Sequence, residues 1–533
     1  MRKLFTTMLL AASAIGASAT DYQTTMKVNA GYNPIDEFAN TLVSVDENTD
    51  GTCKFTLKNI SFNVYGQKTY VGNLILDNVS LTNAGVYKLF TTEQQVELQP
   101  GDDAGKTWIG PSSSALVEGG TPIYLTGEIR NGQLYANLVV DCCPALGRSL
   151  RISLGDGAYT IGQLPNSGFE SFHTATYNKK TSQEPDGWHS FMTATGSLAM
   201  FVKGTPHTDS SDETRPGSKG SKSVLVYSSA EVLKQIPNGT ITTGQMSAGG
   251  ADAASTDNHA FLDFSNSEKD AKGDPFYATV DALPDSITMW VKFVQGTPDA
   301  ENPYATASAV ITDGTRYQDP EDKTYTNVVA KAKNAQIASL DGAWQRITVP
   351  FDYESYLDNF ASANAMLVTI STNATPGKGS ATDKLNVDDV ELVYNAGLSS
   401  VSVNGMSVKD FSTKKYYYEN LQSDKVVSLD DIEVVKTGYD SKIMKFISRS
   451  DNNPGAATVT IVVVSADCKT VNRYTLKFKE PTSGINTVEA SFDNNSSAAK
   501  IYNVNGQRVS AMQNCGVYIV KTASKTVKVV KKN

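Results

Sequence analysis

In the run Ile287-Thr288-Met289-Trp290-Val291-Lys292-Phe293, a tryptophan and a lysine alternate with apolar residues. Side chains along a strand point to opposite faces in turn, so Ile287, Met289, Val291 and Phe293 share one face and Trp290 and Lys292 the other. The first face belongs in a core. The second offers an aromatic plane that can stack on the apolar face of a pyranose, beside an ammonium that donates to hydroxyls or to an acidic sugar. Trp188 follows Pro185-Asp186-Gly187 and is a further stacking candidate, placed either over the core or on the rim of a cleft. Trp344 opens a Trp-x-x-Ile-x-Val-Pro strand and reads as core packing.

Hydrolysis of a glycosidic bond would need two carboxyl groups at a set separation. Glu184, Asp186, Asp263 and Asp352 lie in the same region, and nothing in their spacing pairs two of them. His189, His207 and His259 sit in polar stretches and read as surface residues. The four histidines show no metal-ligand spacing, so a zinc site is not expected. There is no phosphate loop and no Gly-x-Ser-x-Gly elbow, and Gly217, Gly249 and Gly250 read as turn glycines. These residues favour binding over catalysis.

The elements that must position them are β-strands. Thr, Val, Ser, Asn and Gly dominate and amphipathic helical runs are scarce, which predicts an all-β chain. At 533 residues it is too long for one core, so several domains are expected. The net charge of −9 is spread along the chain, against a nucleic-acid partner, which would need clustered Lys and Arg. Five cysteines are scattered; Cys53 could bridge to Cys142 or Cys143, or all could stay as buried thiols.

Residues 20–157 hold closely spaced alternating runs such as Cys53–Leu57, Thr69–Leu76 and Leu134–Val140, with turns such as Asn131-Gly132 between them. A meander of about eight strands follows, closed or nearly so. Through Asn59–Phe62, Val71–Val79 and Leu134–Ile152 the segment resembles the calycin-like barrels of secreted bacterial proteins. Such barrels either hold a small apolar ligand in the mouth or are filled by side chains, and filling is the expectation here.

Residues 161–395 supply strands at Lys222–Tyr227, Ser286–Val294, Trp344–Pro350 and Met366–Ser371, joined by long polar loops, which predicts a two-sheet jelly roll. Asn166, Phe169, Glu170, Trp188, Trp290, Lys292, Trp344, Pro350, Asp388 and Asp389 make the segment similar to the jelly-roll carbohydrate metabolism domain of such secreted proteins. In carbohydrate-binding jelly rolls an early Glu and a late Asp meet on terminal strands around a structural calcium. The resemblance therefore implies Ca2+ at Glu170, Asp388 and Asp389, in keeping with the preference of that ion for oxygen ligands.

Residues 396–480 carry seven or so short strands, an immunoglobulin-like sandwich that resembles the cadherin-like spacers of bacterial surface proteins. The two ends address the chain. Arg2 and Lys3 precede an apolar run and an Ala17-Ser18-Ala19 box, which reads as a signal peptide over residues 1–19, cut before Thr20. No later segment is long and apolar enough to predict a transmembrane helix. Residues 483–533 form a small β tail with Asn505-Gly506-Gln507-Arg508-Val509 and Gly516-Val517-Tyr518-Ile519-Val520. That tail resembles the C-terminal sorting domain of the type IX secretion system, which implies the secretion machinery as a partner and the outer-membrane surface or the extracellular space as destination. The whole reads as an exported surface protein that binds or helps process glycans through its jelly roll. The alternatives are a glycoside hydrolase using the same jelly roll and a purely structural or adhesive protein.

Overall fold

The computed structural model describes residues 19–30, 36–64, 66–157, 159–232, 234–481, 500–512, 515–521 and 526–531. The predicted leader, apart from Ala19, and residues 483–499 of the predicted sorting tail lie outside the described residues. The chain is all-β and divides into two compact units. The first comprises the chain up to Gly397 with Lys436–Met444 and Val463–Asn472; the second takes Leu398–Val435, Lys445–Val462 and Arg473 onward.

The first unit opens with β1 (Ala19–Ala30), β2 (Asp36–Glu47), β3 (Thr52–Val64), β4 (Gln67–Ala84), β5 (Tyr87–Val96), β6 (Thr121–Arg130), β7 (Gln133–Val140) and β8 (Leu150–Leu154). They form a closed antiparallel barrel, with β1 closing on β8 so that Val28 faces Ile152. Closure leaves no open sheet edge. Asn131 and Gly132 both have positive φ, the geometry of the two-residue turn that joins β6 to β7. Alternate residues, among them Phe55, Leu57, Leu74, Leu76, Leu138 and Ile152, turn inward and fill the barrel as one buried cluster. Cys53 and Cys142 are buried thiols there and form no disulfide; burial pushes Cys53 up to about 11 and Cys142 up to about 12.

The jelly roll follows in β9 (Phe172–Tyr177), β10 (Lys180–Pro185), β11 (Thr208–Ser211), β12 (Ser223–Tyr227), β13 (Thr240–Thr242), β14 (Gln245–Ala248), β15 (Asn258–Leu262), β16 (Ala278–Thr279), β17 (Ser286–Val294), β18 (Tyr304–Thr312), β19 (Tyr317–Asp319), β20 (Val328–Ala338), β21 (Gln345–Pro350), β22 (Ala365–Ser371) and β23 (Lys384–Val393). One sheet runs β11-β12-β23-β17-β21; the other runs β13-β22-β18-β20, with β16 also on β22. Ile287, Met289, Val291 and Phe293 from the first meet Ala307, Ile311, Val368 and Ile370 from the second in the main core. A three-stranded sheet, β14-β15-β19, and a β9–β10 hairpin complete the domain.

Barrel and jelly roll share a packed junction. The Arg130 guanidinium lies 3.9 Å from the Tyr87 ring centre and 4.3 Å from that of Tyr159, and bonds Glu128 Oε1 at 2.7 Å. Thr279 Oγ1 donates to Glu128 Oε2 at 2.7 Å, and Tyr87 packs edge-on against Tyr277. Gly162 N and the Tyr159 hydroxyl donate to Asp281. Burial, with the neighbouring Glu128 charge, pushes the Asp281 carboxyl up to about 7.

In the second unit β24 (Leu398–Val403), β25 (Met406–Ser407), β26 (Tyr417–Leu421), β27 (Ile432–Lys436), β28 (Lys442–Ser450), β29 (Asn453–Val464) and β30 (Val471–Phe478) form sheets β25-β24-β27 and β26-β30-β29-β28, the latter with parts of β28, β29 and β30 in the first unit. The tail is a sheet β32-β31-β33-β34 from β31 (Lys500–Asn503), β32 (Arg508–Val509), β33 (Gly516–Lys521) and β34 (Thr526–Lys531). Among the described residues no helix is long and apolar enough to cross a membrane.

Candidate functional site

The expected binding residues gather on the outer face of the first jelly-roll sheet. Trp290 sits opposite Asp388 on β23 and opposite Arg346 on β21, turned away from the core as the alternation predicts. The segment before β12 folds over this face. Its Glu213 pairs with Lys292, and its Arg215 guanidinium lies 5.6 Å from the Trp290 ring centre. Arg215 bonds Asp389 Oδ2 through Nε at 2.6 Å and Nη2 at 2.5 Å, and its amide donates to Asp388 Oδ2 at 2.9 Å. Burial, then the adjacent Asp389 charge, raises the Asp388 carboxyl. Glu170 accepts the amides of Ser221 and Lys222 at 2.9 and 3.1 Å. The carboxylates named for calcium thus already hold a guanidinium and loop amides, and Trp290 and Lys292 already have partners.

Trp188 is not a sugar platform. It is fully buried, packs against Phe169 at 5.2 Å and donates Nε1–H to the Pro165 carbonyl at 3.0 Å, so neither ring face is open. The histidine expectation also changes: His189 and His207 are fully buried and His259 is 8% exposed. Burial holds His207 down at about 4, while His259 stacks edge-on against Phe261.

The second sheet provides an open cleft. Ala305, Ala307 and Ala309 of β18, Val368 and Ile370 of β22, and Ile241 of β13 face the core. Period two then turns Thr306, Ser308, Thr369, Ser371 and Thr240 to the other side. Where Met246, Leu262, Val310, Tyr317 and Leu367 form a secondary apolar cluster, that side is covered. Beyond it lies a cavity of about 300 Å³. Its floor is this hydroxyl row; its walls include Phe191, Phe201, Pro237, Asn238, Asn373 and Lys333. Phe201 is 45% exposed. Asp319 is the one carboxylate among the described lining residues, and it accepts the Ser308 hydroxyl at 2.6 Å.

A second cluster lies under the hairpin. Tyr177 and Lys180 close the β9–β10 turn, with Asn178 and Lys179 at positive φ, and this register sets His173 directly opposite Glu184. His173 Nε2 lies 3.7 Å from Glu184 Oε2 and 3.5 Å from Asp270 Oδ2, and His189 Nε2 lies 3.4 Å from Asp270 Oδ2. Burial raises Glu184. Asp270 is held down at about 2: burial opposes this, but the His189 ring and other neighbours outweigh it. The Lys272 ammonium, 2.5 Å from Asp186, and hydrogen bonds from Ser171 and His173 hold Asp186 below the usual range against its own burial. Sequence reading missed His173 and Asp270; the two-residue turn was the available signal, since counting back from it pairs residue 173 with residue 184.

Against known proteins, residues 19–151 match the family model of the calycin-like beta-barrel domain, so the first domain is a calycin-like barrel. No curated protein matches the chain. Among solved structures, one from Bacteroides fragilis described as a "putative outer membrane protein" is 12% identical, with 67% of this chain and 97% of that one covered. Its TM-score is 0.16, too low to carry an argument about fold or function.

Proposed function

We propose that this is an exported cell-surface protein that binds a glycan in the jelly-roll cleft. The observation that carries the reading is the lining. A row of hydroxyls and side-chain amides, two phenylalanines and one exposed lysine can exchange hydrogen bonds with sugar hydroxyls while a ring covers an apolar sugar face. A single carboxylate among the described lining residues gives binding precedence over hydrolysis, which takes two. The leader and the sorting-tail pattern support export, with the type IX machinery as partner.

A glycan-array screen of the purified chain tests this. Phe201→Ala and Lys333→Ala are expected to weaken the retained glycan at least several-fold while leaving the melting temperature close to wild type. Trp290→Ala, on the covered face, is expected to leave that binding unchanged. Absence of any retained glycan, or loss only with Trp290→Ala, would remove the cleft from consideration.

A further inference from the structure

The hairpin cluster is built as ligand sites are built: each of four side chains is anchored by its outer atom and leaves its inner atom without a hydrogen bond. His189 Nδ1 lies 3.0 Å from the Gly244 carbonyl, which can only accept, so Nδ1 carries a proton there and Nε2 is the ring atom left to face the cluster. His173 Nδ1 lies 3.2 Å from Asp186 Oδ1, whose carboxylate also holds Lys272, so this ring too is anchored through Nδ1 and turns Nε2 to the cluster. Glu184 Oε1 takes the Ser190 amide at 2.7 Å and the Ser190 hydroxyl. Asp270 Oδ1 is cradled by the amides of Lys272, Gly273 and Asp274 at 2.8–2.9 Å. The inner atoms, His173 Nε2, Glu184 Oε2, His189 Nε2 and Asp270 Oδ2, are buried with no hydrogen-bond partner.

Two ring nitrogens and two carboxylate oxygens buried together without a hydrogen bond are costly to leave unsatisfied. Three of the six separations, His173–Glu184, His173–Asp270 and His189–Asp270, are 3.4–3.7 Å, near the edge of a tetrahedron of ligands about 2.1 Å from a central ion, roughly 3.4 Å. Among the described residues no three such side chains already form a metal-holding group, so binding an ion here requires side-chain rotations that draw the four atoms inward. Anchoring of the outer atoms is the support that metal-bound imidazoles and carboxylates ordinarily have.

We propose that His173, Glu184, His189 and Asp270 bind one divalent transition-metal ion of the zinc class, as a structural centre that ties the β9–β10 hairpin to the Asp270 loop and the start of the jelly roll. Two imidazoles and two carboxylates suit that class better than calcium. Four protein ligands complete a tetrahedron and leave no open position for substrate. The two carboxylates neutralise the ion, so the buried site carries no net charge.

The test uses the full chain, stripped with a strong chelator, and Zn2+ and Co2+ as probes. Expected are one equivalent of zinc by elemental analysis, a visible cobalt absorbance of tetrahedral intensity, and a melting temperature that rises with zinc. Glu184→Gln and Asp270→Asn are expected to weaken zinc on the order of 100-fold. Asp186→Asn, which reaches the ion only through His173, should weaken it about ten-fold. Should those variants misfold, His173→Gln, at the most exposed of the four ligands, gives the same readout. A stripped wild-type chain that takes up no zinc, or takes it up as tightly as the Glu184→Gln/Asp270→Asn double variant, would overturn the proposal.

Discussion

Arg215 is the residue on which the outer face of the first sheet depends. It supplies positive charge to Asp389, a backbone amide to Asp388 and a cation to the Trp290 ring. Arg215→Ala should cost about 1–3 kcal/mol in a urea titration, since it strands the partly buried Asp389 carboxylate while the backbone amide to Asp388 remains. Millimolar calcium is expected to leave the wild-type melting temperature unchanged, because the ion would have to displace Arg215; a clear calcium-dependent rise would support a calcium site at Glu170, Asp388 and Asp389. Trp188→Ala should cost on the order of 3–5 kcal/mol, the loss expected for a large core aromatic. At this scale the alternation of Trp290 and Lys292 against their apolar neighbours was legible in the sequence, because it depends only on period two. What lies over that face was not, because Arg215 comes from a loop far along the chain whose path no local pattern fixes.

Among elements, the strands were read well and their company poorly. β17 and β22 fall where the β-branched and apolar runs predict them, and the Asn131-Gly132 turn lies between β6 and β7. The cleft stayed hidden because its floor is Thr and Ser, residues that read as ordinary exposed strand faces until β18, β22 and β13 are set side by side. The segment carrying Asp281 makes a further prediction. Asp281 faces Glu128 and Tyr159, with Lys469 and Tyr394 also near. Its folded value of about 7 lies above the ordinary 3.8, so the folded state holds the proton more tightly. The contribution to stability is full below about pH 4 and is lost as pH rises through 7. Asp281→Asn should therefore flatten the fall in melting temperature between about pH 4 and pH 7; an unchanged pH profile would mean that the carboxyl is not protonated in the fold.

Taken as a whole molecule, the chain announces its β class through composition and its barrel through spacing, and the barrel is the part that a family model also matches. The terminal signals make a cellular prediction: a chain lacking Ser483–Asn533 should accumulate in the periplasm. Equal surface display with and without that tail would remove the sorting role. The hairpin cluster was illegible at this scale because His173, Glu184, His189 and Asp270 are scattered over almost a hundred positions and only the folded register brings them together.

The aromatic clamp on Arg130 bears on how this protein can be divided. Tyr87 of the barrel lies in the same apolar cluster as Tyr277, Leu262 and Tyr317 of the jelly roll, so a cut between the two domains would bare the Tyr87 ring and the edge of that cluster. Limited proteolysis should therefore release barrel and jelly roll as a single resistant fragment.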